Sequence, residues 1–349
     1  MHDLNNNISL LRQKLGSKLC ILGHHYQCER VIRHCDITGD SLELARKIAD
    51  IEATYLVFCG VYFMGEAAAL LTRPGQQVFL PDDHADCMMA LMASGCHVHN
   101  VLHELQSMGM DVIPIAYVNT SVGLKAQVGA FGGAVCTSAN AKDVLNWALK
   151  TGKRVLFLPD KHLARNTAKQ LGLDAHDWHI LRLSGDGILD SKEDLGAKRL
   201  LIWPGCCPIH SQMRVEDIRA AREALPGCAV YVHPECPPDV VDACEGAGST
   251  SFLIRKAQSL AGSASIKRVV IGTESNLVTR LGLRHKNELT LVPLKEAYCP
   301  DMNAITEEKL LSLLQSILNG QGKPVRLKEA ERAPAKAALE RMLAICQPA

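Results

Sequence analysis

VFLPDDHAD (residues 78–86) and VLFLPDKHLA (residues 155–164) decide the reading of the fold, because one pattern occurs twice in the chain. In each, an apolar run ends in Leu-Pro-Asp and passes into a polar turn carrying a histidine. Runs that are apolar almost throughout suit strands buried on both faces of a parallel sheet. Eight more such runs stand along the chain: KLCILG (18–23), TYLVFCG (54–60), DVIPIAYV (111–118), GAVCTS (133–138), RLLIWPG (199–205), CAVYVHP (228–234), RVVIGT (268–273) and LTLVPL (289–294). Helical stretches separate them. SLELARKIAD (41–50) can be capped by Asp40 or Ser41, with Glu43 reaching back. ITEEKLLSLLQSILNG (305–320) puts Leu310, Leu313, Leu314 and Ile317 on one face and stops at Gly320. The alternation predicts βα units, and so an α/β fold of three-layer αβα type with parallel sheets.

The repeat also divides the chain. GHHYQ and CGVYF precede its first copy, and YVNTS and CTSAN its second; WPGCCPIH, HPEC and GTES form a third set. Three similar α/β domains are expected, near residues 1–100, 101–202 and 203–300. The tail, 301–349, reads as helical, with Leu339, Met342, Leu343 and Cys346 on one stripe, and is expected to pack back on the first domain.

Composition narrows the function. Across 349 residues, 47% are hydrophobic and 21% charged, which describes a globular protein with ample core material. The net charge of +1 and the lack of a basic stripe argue against nucleic-acid binding. The first residues, MHDLNNNISLLRQKLGSK, contain no long apolar region, so neither a signal peptide nor a membrane span is expected there. A cytoplasmic location follows, with no membrane partner. In that reducing compartment, the 14 cysteines read as thiols, metal ligands or small buried hydrophobes rather than disulfides.

Three cysteines stand apart. Cys87, Cys207 and Cys299 each come shortly after an apolar run, in widely separated segments. Three thiolates around a metal centre leave one coordination position for substrate. All-thiolate ligation leans toward iron–sulfur, and the many histidines lean toward zinc. No C-x-x-C framework supports either choice, and the adjacent Cys206 competes with Cys207.

Polar residues gather just past the strand ends: His24, Asn119, Ser138, His210, His233, Glu235 and Glu274. That edge of an open parallel sheet is where ligands bind. His233 and Glu235 suit acid–base work if they share a cleft, and a solvated loop accounts for them equally. GAGSTS (246–251) at a helix start can cradle an anion or simply cap the helix. Tyr117 and Asn119 alternate in a strand, on one face, where they can orient a substrate or satisfy buried backbone.

Read in order, GHHYQ, GDSLELA, VFCGVYFMGEAA, LPDDHADCMMA, YVNTS, LKA, CTSANA, FLPDKHLAR, WPGCCPIH, HPEC, GAGSTS, GTESNLV and CPDMN resemble the quinolinate synthases of bacterial NAD biosynthesis. The resemblance covers roughly residues 19–305. It implies three αβα domains in pseudo-threefold arrangement around a central [4Fe–4S] cluster. It also implies condensation of iminoaspartate with dihydroxyacetone phosphate to quinolinate, with loss of phosphate and water, and a functional link to L-aspartate oxidase. Carried over by motif, the cluster ligands are Cys87, Cys207 and Cys299. Substrate-pocket positions fall on His24, Tyr26, Ser41, Tyr117, Asn119, Ser138, His210, His233, Glu235, Ser249 and Thr250. Glu235, with Tyr26 and His233, is the expected group for proton transfer.

Two features depart from the family pattern. Asp86 stands before the first ligand cysteine where the family commonly has glycine, and VGAFGGAV (128–135) is longer and richer in glycine than usual. Two other classes remain on the residues alone: a zinc hydrolase using the same thiolates, and a protein that senses iron or redox state through a bound cluster.

Overall fold

The computed structural model describes residues 2–185, 187–262 and 266–346. Fifteen strands are formed among them: β1 (Leu19–His24), β2 (Ile37–Gly39), β3 (Tyr55–Cys59), β4 (Gln77–Phe79), β5 (Val112–Tyr117), β6 (Ala134–Cys136), β7 (Arg154–Leu158), β8 (Trp178–Ile180), β9 (Leu183–Ser184), β10 (Gly187–Ile188), β11 (Leu200–Ile202), β12 (Ala229–Val232), β13 (Gly246–Ala247), β14 (Arg268–Gly272) and β15 (Thr290–Pro293). All ten apolar runs became strands. The extra ones are short, and β2, β8 and β13 lie at sheet edges. The fold is α/β, as expected.

Three sheets carry it. The first runs β2-β1-β3-β4 and the second β6-β5-β7-β11-β8, each parallel throughout. The third runs β13-β12-β14-β15, with β13 parallel to β12 and β15 parallel to β14. β9 and β10 form a small antiparallel hairpin. In a parallel sheet every strand's carboxyl end points the same way, so the polar tips of successive strands line one edge.

The chain divides into two compact units. One comprises Met1–Cys87, Ala221–Val230 and Leu253–Leu327; the other comprises Met88–Ala220, Tyr231–Phe252 and Lys328–Ala349. In the first, helix His2–Leu15 packs against helix Glu307–Leu318. Ile8, Leu11 and Leu15 join Leu310, Leu314 and Ile317 in a core with Ile21, Val57 and Phe79 of the sheet. A 12-residue helix is marginal alone in water, so this burial, about 1.5–3 kcal/mol per large apolar side chain, holds it. Capping followed the local sequence. Asp40 accepts the Glu43 N–H at 3.0 Å, and the Glu43 carboxylate accepts the Asp40 N–H at 3.1 Å.

The last helix corrects one expectation. Glu329–Ile345 packs on helix Val122–Ala130 and on β6, within the second unit, rather than on the first part of the chain. Leu339 and Met342 are buried as the stripe predicted. The reason lies in the glycine-rich stretch. A Cβ added at Gly129 would stand 1.8 Å from the Pro334 carbonyl oxygen, so the two backbones touch where only glycine fits. Arg341 completes the seat by donating to the Gly133 carbonyl.

Gly129→Ala should therefore unseat this helix. The expected cost is about 1–3 kcal/mol, read as a lower midpoint of thermal unfolding. Glu307, buried at the start of its helix, is paired with His34 at 2.8 Å and with Arg33. Burial opposes its charge, but the bonds from His34 and Arg33 outweigh it and hold the carboxyl below its ordinary range. A depressed carboxylate adds stability above its unfolded value, and that stability is lost as pH falls through the folded value. Glu307→Gln should destabilise at neutral pH by about 1–3 kcal/mol, and the difference should shrink in acid-titrated unfolding curves.

Candidate functional site

The three singled-out cysteines share one local design. Cys207 precedes helix Pro208–Ser211, Cys299 precedes Pro300–Asn303 and Cys87 precedes Met88–Leu91. Proline at the first helical position fits the two later cases, where the missing N–H costs nothing. All three are half-buried, and no cysteine among the described residues is in a disulfide. Each backbone N–H donates to a carboxylate. Cys87 bonds Asp86 Oδ1 at 2.8 Å, Cys207 bonds Asp160 Oδ2 at 2.9 Å and Cys299 bonds Glu274 Oε1 at 3.4 Å. Burial pushes the Cys299 thiol up to about 11, against N–H groups of Met302 and Asp301 that favour the thiolate. Half-buried thiols at the starts of short helices are chemically the kind of donor an iron–sulfur cluster takes.

In the second unit, Glu235 is the centre. It follows β12 on the HPEC segment and is 2% exposed. His210 Nδ1 lies 2.8 Å from Glu235 Oε2, and His233 Nδ1 lies 3.9 Å from Oε1. The two imidazoles stack with centroids 4.5 Å apart and planes at 20°. Tyr117, at the end of β5, donates its hydroxyl to the same carboxylate. Burial alone would neutralise Glu235; the histidines and the hydroxyl prevail and hold it at about 2. Asp160 is also fully buried, and desolvation with the nearby Glu235 charge pushes it up to about 8. Cys207, His210 and Glu235 each offer a ligand atom within 4.8 Å of the others. That grouping distinguishes Cys207 from its neighbour Cys206.

Asp160 is a site residue that the sequence pattern does not single out. It caps helix Lys161–Gln170 through the Leu163 N–H at 2.6 Å while its other oxygen holds Cys207. Gly205 makes this possible: a Cβ there would stand 2.7 Å from the Pro159 carbonyl oxygen, and Lys161 N–H donates to the Gly205 carbonyl. Its counterpart in the first copy of the repeat, Asp82, pairs instead with Lys309. Nor does the pattern single out Asn166. Its side chain donates to the carbonyls of Pro234 and Cys236 at 2.8 and 2.9 Å, fixing the turn that carries Glu235.

In the first unit, His24 ends β1, and its ring meets Tyr26 edge-on at 4.7 Å. The Tyr26 hydroxyl lies 2.8 Å from Thr273 Oγ1, a partner unforeseen although it adjoins Glu274 in GTES. Asn276 donates to the Tyr26 carbonyl at 3.3 Å and to Glu274 Oε1 at 3.0 Å, while Gln27 donates to the Met302 carbonyl at 3.0 Å. The GHHYQ segment and the Cys299 turn are thus tied together. Burial pushes Glu274 up to about 7, against three backbone N–H groups.

Other predicted positions fall as follows. Ser41 opens helix Ser41–Ile48, and Ser138 follows β6. Asn119 lies beyond the end of β5, which stops at Tyr117, so the two do not share one strand face. Ser249 caps helix Thr250–Ala261 by accepting the Phe252 N–H at 3.4 Å, the structural role its sequence allowed; Thr250 begins that helix, and both are buried.

The family model for quinolinate synthetase A protein matches residues 6–344. The chain belongs to that family. Proteins named quinolinate synthase from Streptomyces coelicolor, Lysinibacillus sphaericus and Bacillus subtilis are 41%, 40% and 40% identical to it, each over 98% of this chain. The matches cover 88%, 93% and 93% of those relatives. Membership in the quinolinate synthetase family makes the chain an enzyme, and the matched span includes every site residue described above. No helix among the described residues is long and apolar enough to cross a membrane.

Asn166→Ala should remove the amide that holds the Pro234 and Cys236 carbonyls beside Glu235. The expected cost is about 1–3 kcal/mol in chemical denaturation, with faster hydrogen exchange in the peptide carrying HPEC.

Proposed function

We propose that this chain condenses iminoaspartate with dihydroxyacetone phosphate to quinolinate, releasing phosphate and water, in the cytoplasm. Membership in the quinolinate synthetase family and the buried Glu235–His210–His233 group support that reading. Cys87, Cys207 and Cys299 would hold a [4Fe–4S] cluster at the centre of three αβα domains in pseudo-threefold arrangement. When bound, the cluster supplies a Lewis-acid iron with an open coordination position for dehydration.

The remaining chemistry falls to the chain. An ionised Glu235 at 2.8 Å keeps the His210 proton on Nδ1, which leaves proton exchange to Nε2. The same carboxylate stabilises the imidazolium that forms when His210 takes a proton. Glu235 therefore orients and charges the base rather than acting as a free acid. Tyr26, held by Thr273, and His233 supply further proton-transfer groups. His24, Tyr117 and Asn119 would orient substrate, and the hydroxyls of Ser41, Ser138, Ser249 and Thr250 would hold carboxylates or phosphate.

One observation favours a second reading. A thiolate, an imidazole and a carboxylate within 4.8 Å also suit a single zinc ion, as in a metallohydrolase.

Anaerobic purification followed by metal and sulfide analysis separates the two. Iron with acid-labile sulfide is expected; zinc without sulfide would overturn the first reading. Cys87→Ser, Cys207→Ser and Cys299→Ser should each abolish cluster assembly. Cys236→Ser should not, because that thiol is buried against Met213 Sδ at 3.4 Å. Glu235→Gln should keep the cluster and lower turnover about 100-fold or more, the scale of a base that has lost the carboxylate fixing its tautomer and stabilising its charge. Full activity in that variant would remove Glu235 from the mechanism.

A further inference from the structure

Each ligand cysteine sits at the start of a four-residue helix, and a helix start leaves backbone N–H groups without internal partners. Water, a hydroxyl or an amide oxygen would satisfy them. This chain places a carboxylate there three times, from three different segments. Asp86 comes from the preceding residue, Asp160 from the turn after β7 and Glu274 from the turn after β14. That recurrence calls for a function, and a hydrogen bond from a backbone N–H is directional, so the acceptor fixes the residue that donates to it.

We infer that Asp86, Asp160 and Glu274 are positioning residues, each taking the backbone N–H of one cluster cysteine and so fixing the direction in which its thiol leaves the helix. The inference rests on the cluster assignment made above. The carboxylates are held in turn. Asp160 is anchored by the Leu163 N–H at 2.6 Å. Glu274 is anchored by the Asn276 and Leu277 N–H groups at 2.8 and 3.3 Å and by the Asn276 side chain. A thiol whose backbone is fixed before metal arrives loses less freedom on ligation, which is how outer contacts strengthen a metal site. Asp86, on the residue next to its cysteine, is the least anchored of the three.

The test uses Asp86→Ala, Asp86→Asn, Asp160→Ala and Glu274→Ala in the full chain. Asparagine keeps the single acceptor that Asp86 supplies and removes the charge. In metal-free protein, hydrogen exchange in the peptide carrying the affected cysteine should speed up at least tenfold in each alanine variant and stay slow in Asp86→Asn. In anaerobically reconstituted protein, a chelator should strip iron several-fold faster from Asp86→Ala than from wild type, with Asp86→Asn close to wild type. Asp160→Ala and Glu274→Ala should retain less than half the wild-type iron and sulfide, with unchanged far-UV circular dichroism. If either of those two fails to fold, the Asp86 pair decides. Wild-type exchange and stripping rates in Asp86→Ala, or an Asp86→Asn protein as labile as the alanine variant, would overturn the inference. Wild-type protein devoid of iron would sink the cluster assignment instead, and the metal-free exchange rates would still show whether the carboxylates fix the cysteines.

Discussion

A negative charge sealed away from water organises the second unit. Glu235 cannot stay ionised at 2% exposure unless its surroundings replace the lost hydration. His210 at 2.8 Å, His233 behind it and the Tyr117 hydroxyl do so. Removing one partner would leave a buried charge unanswered, which is far more costly than never having formed the pair. The requirement reaches outward from there. Asn166 must hold the HPEC carbonyls to keep the carboxylate in place, and Asp160, near the same charge, is pushed toward its neutral form. One buried carboxylate thus couples the β12 tip, the WPGCC turn and helix Lys161–Gln170.

The first unit solves a different problem with similar means. There Glu274 connects rather than anchors a charge pair. It receives the Cys299 N–H and the Asn276 side chain, and Asn276 in turn reaches the Tyr26 carbonyl. Arg280, on the same helix as Asn276, donates to the His25 carbonyl. A segment rich in histidine and tyrosine is thereby held by a helix that begins at a strand end, where α/β folds commonly build sites.

The sequence made legible whatever is written locally. All ten long apolar runs are strands because a strand buried on both faces must be apolar throughout. The Asp40–Glu43 cap was readable because both partners lie within four residues. β2, β8 and β13 were not readable: two or three residues long and largely half-buried, they present no apolar run at all. The same divide applies to the site. His233 and Glu235 stand just past the end of β12, and His210 on the short helix after β11, so chain order pointed to them. Asp160 and Asn166 act across long sequence separations, on Cys207 and on Pro234 and Cys236, and nothing local names those partners. The Leu-Pro-Asp repeat shows the limit most clearly: Asp82 pairs with a lysine on a distant helix, whereas Asp160 accepts the Cys207 N–H. The glycine-rich stretch at 128–135 is explained only by a distant segment, because Gly129 meets the Pro334 carbonyl of helix Glu329–Ile345.

The account turns on cysteines from distant segments binding one inorganic cluster that leaves a single iron without a thiolate. Mössbauer spectroscopy of anaerobic protein reconstituted with iron-57 tests this most directly, recorded with and without quinolinate. One iron site should shift on addition of quinolinate while the others stay unchanged. Protein that takes up no iron yet remains active, or iron sites that all respond alike, would contradict it.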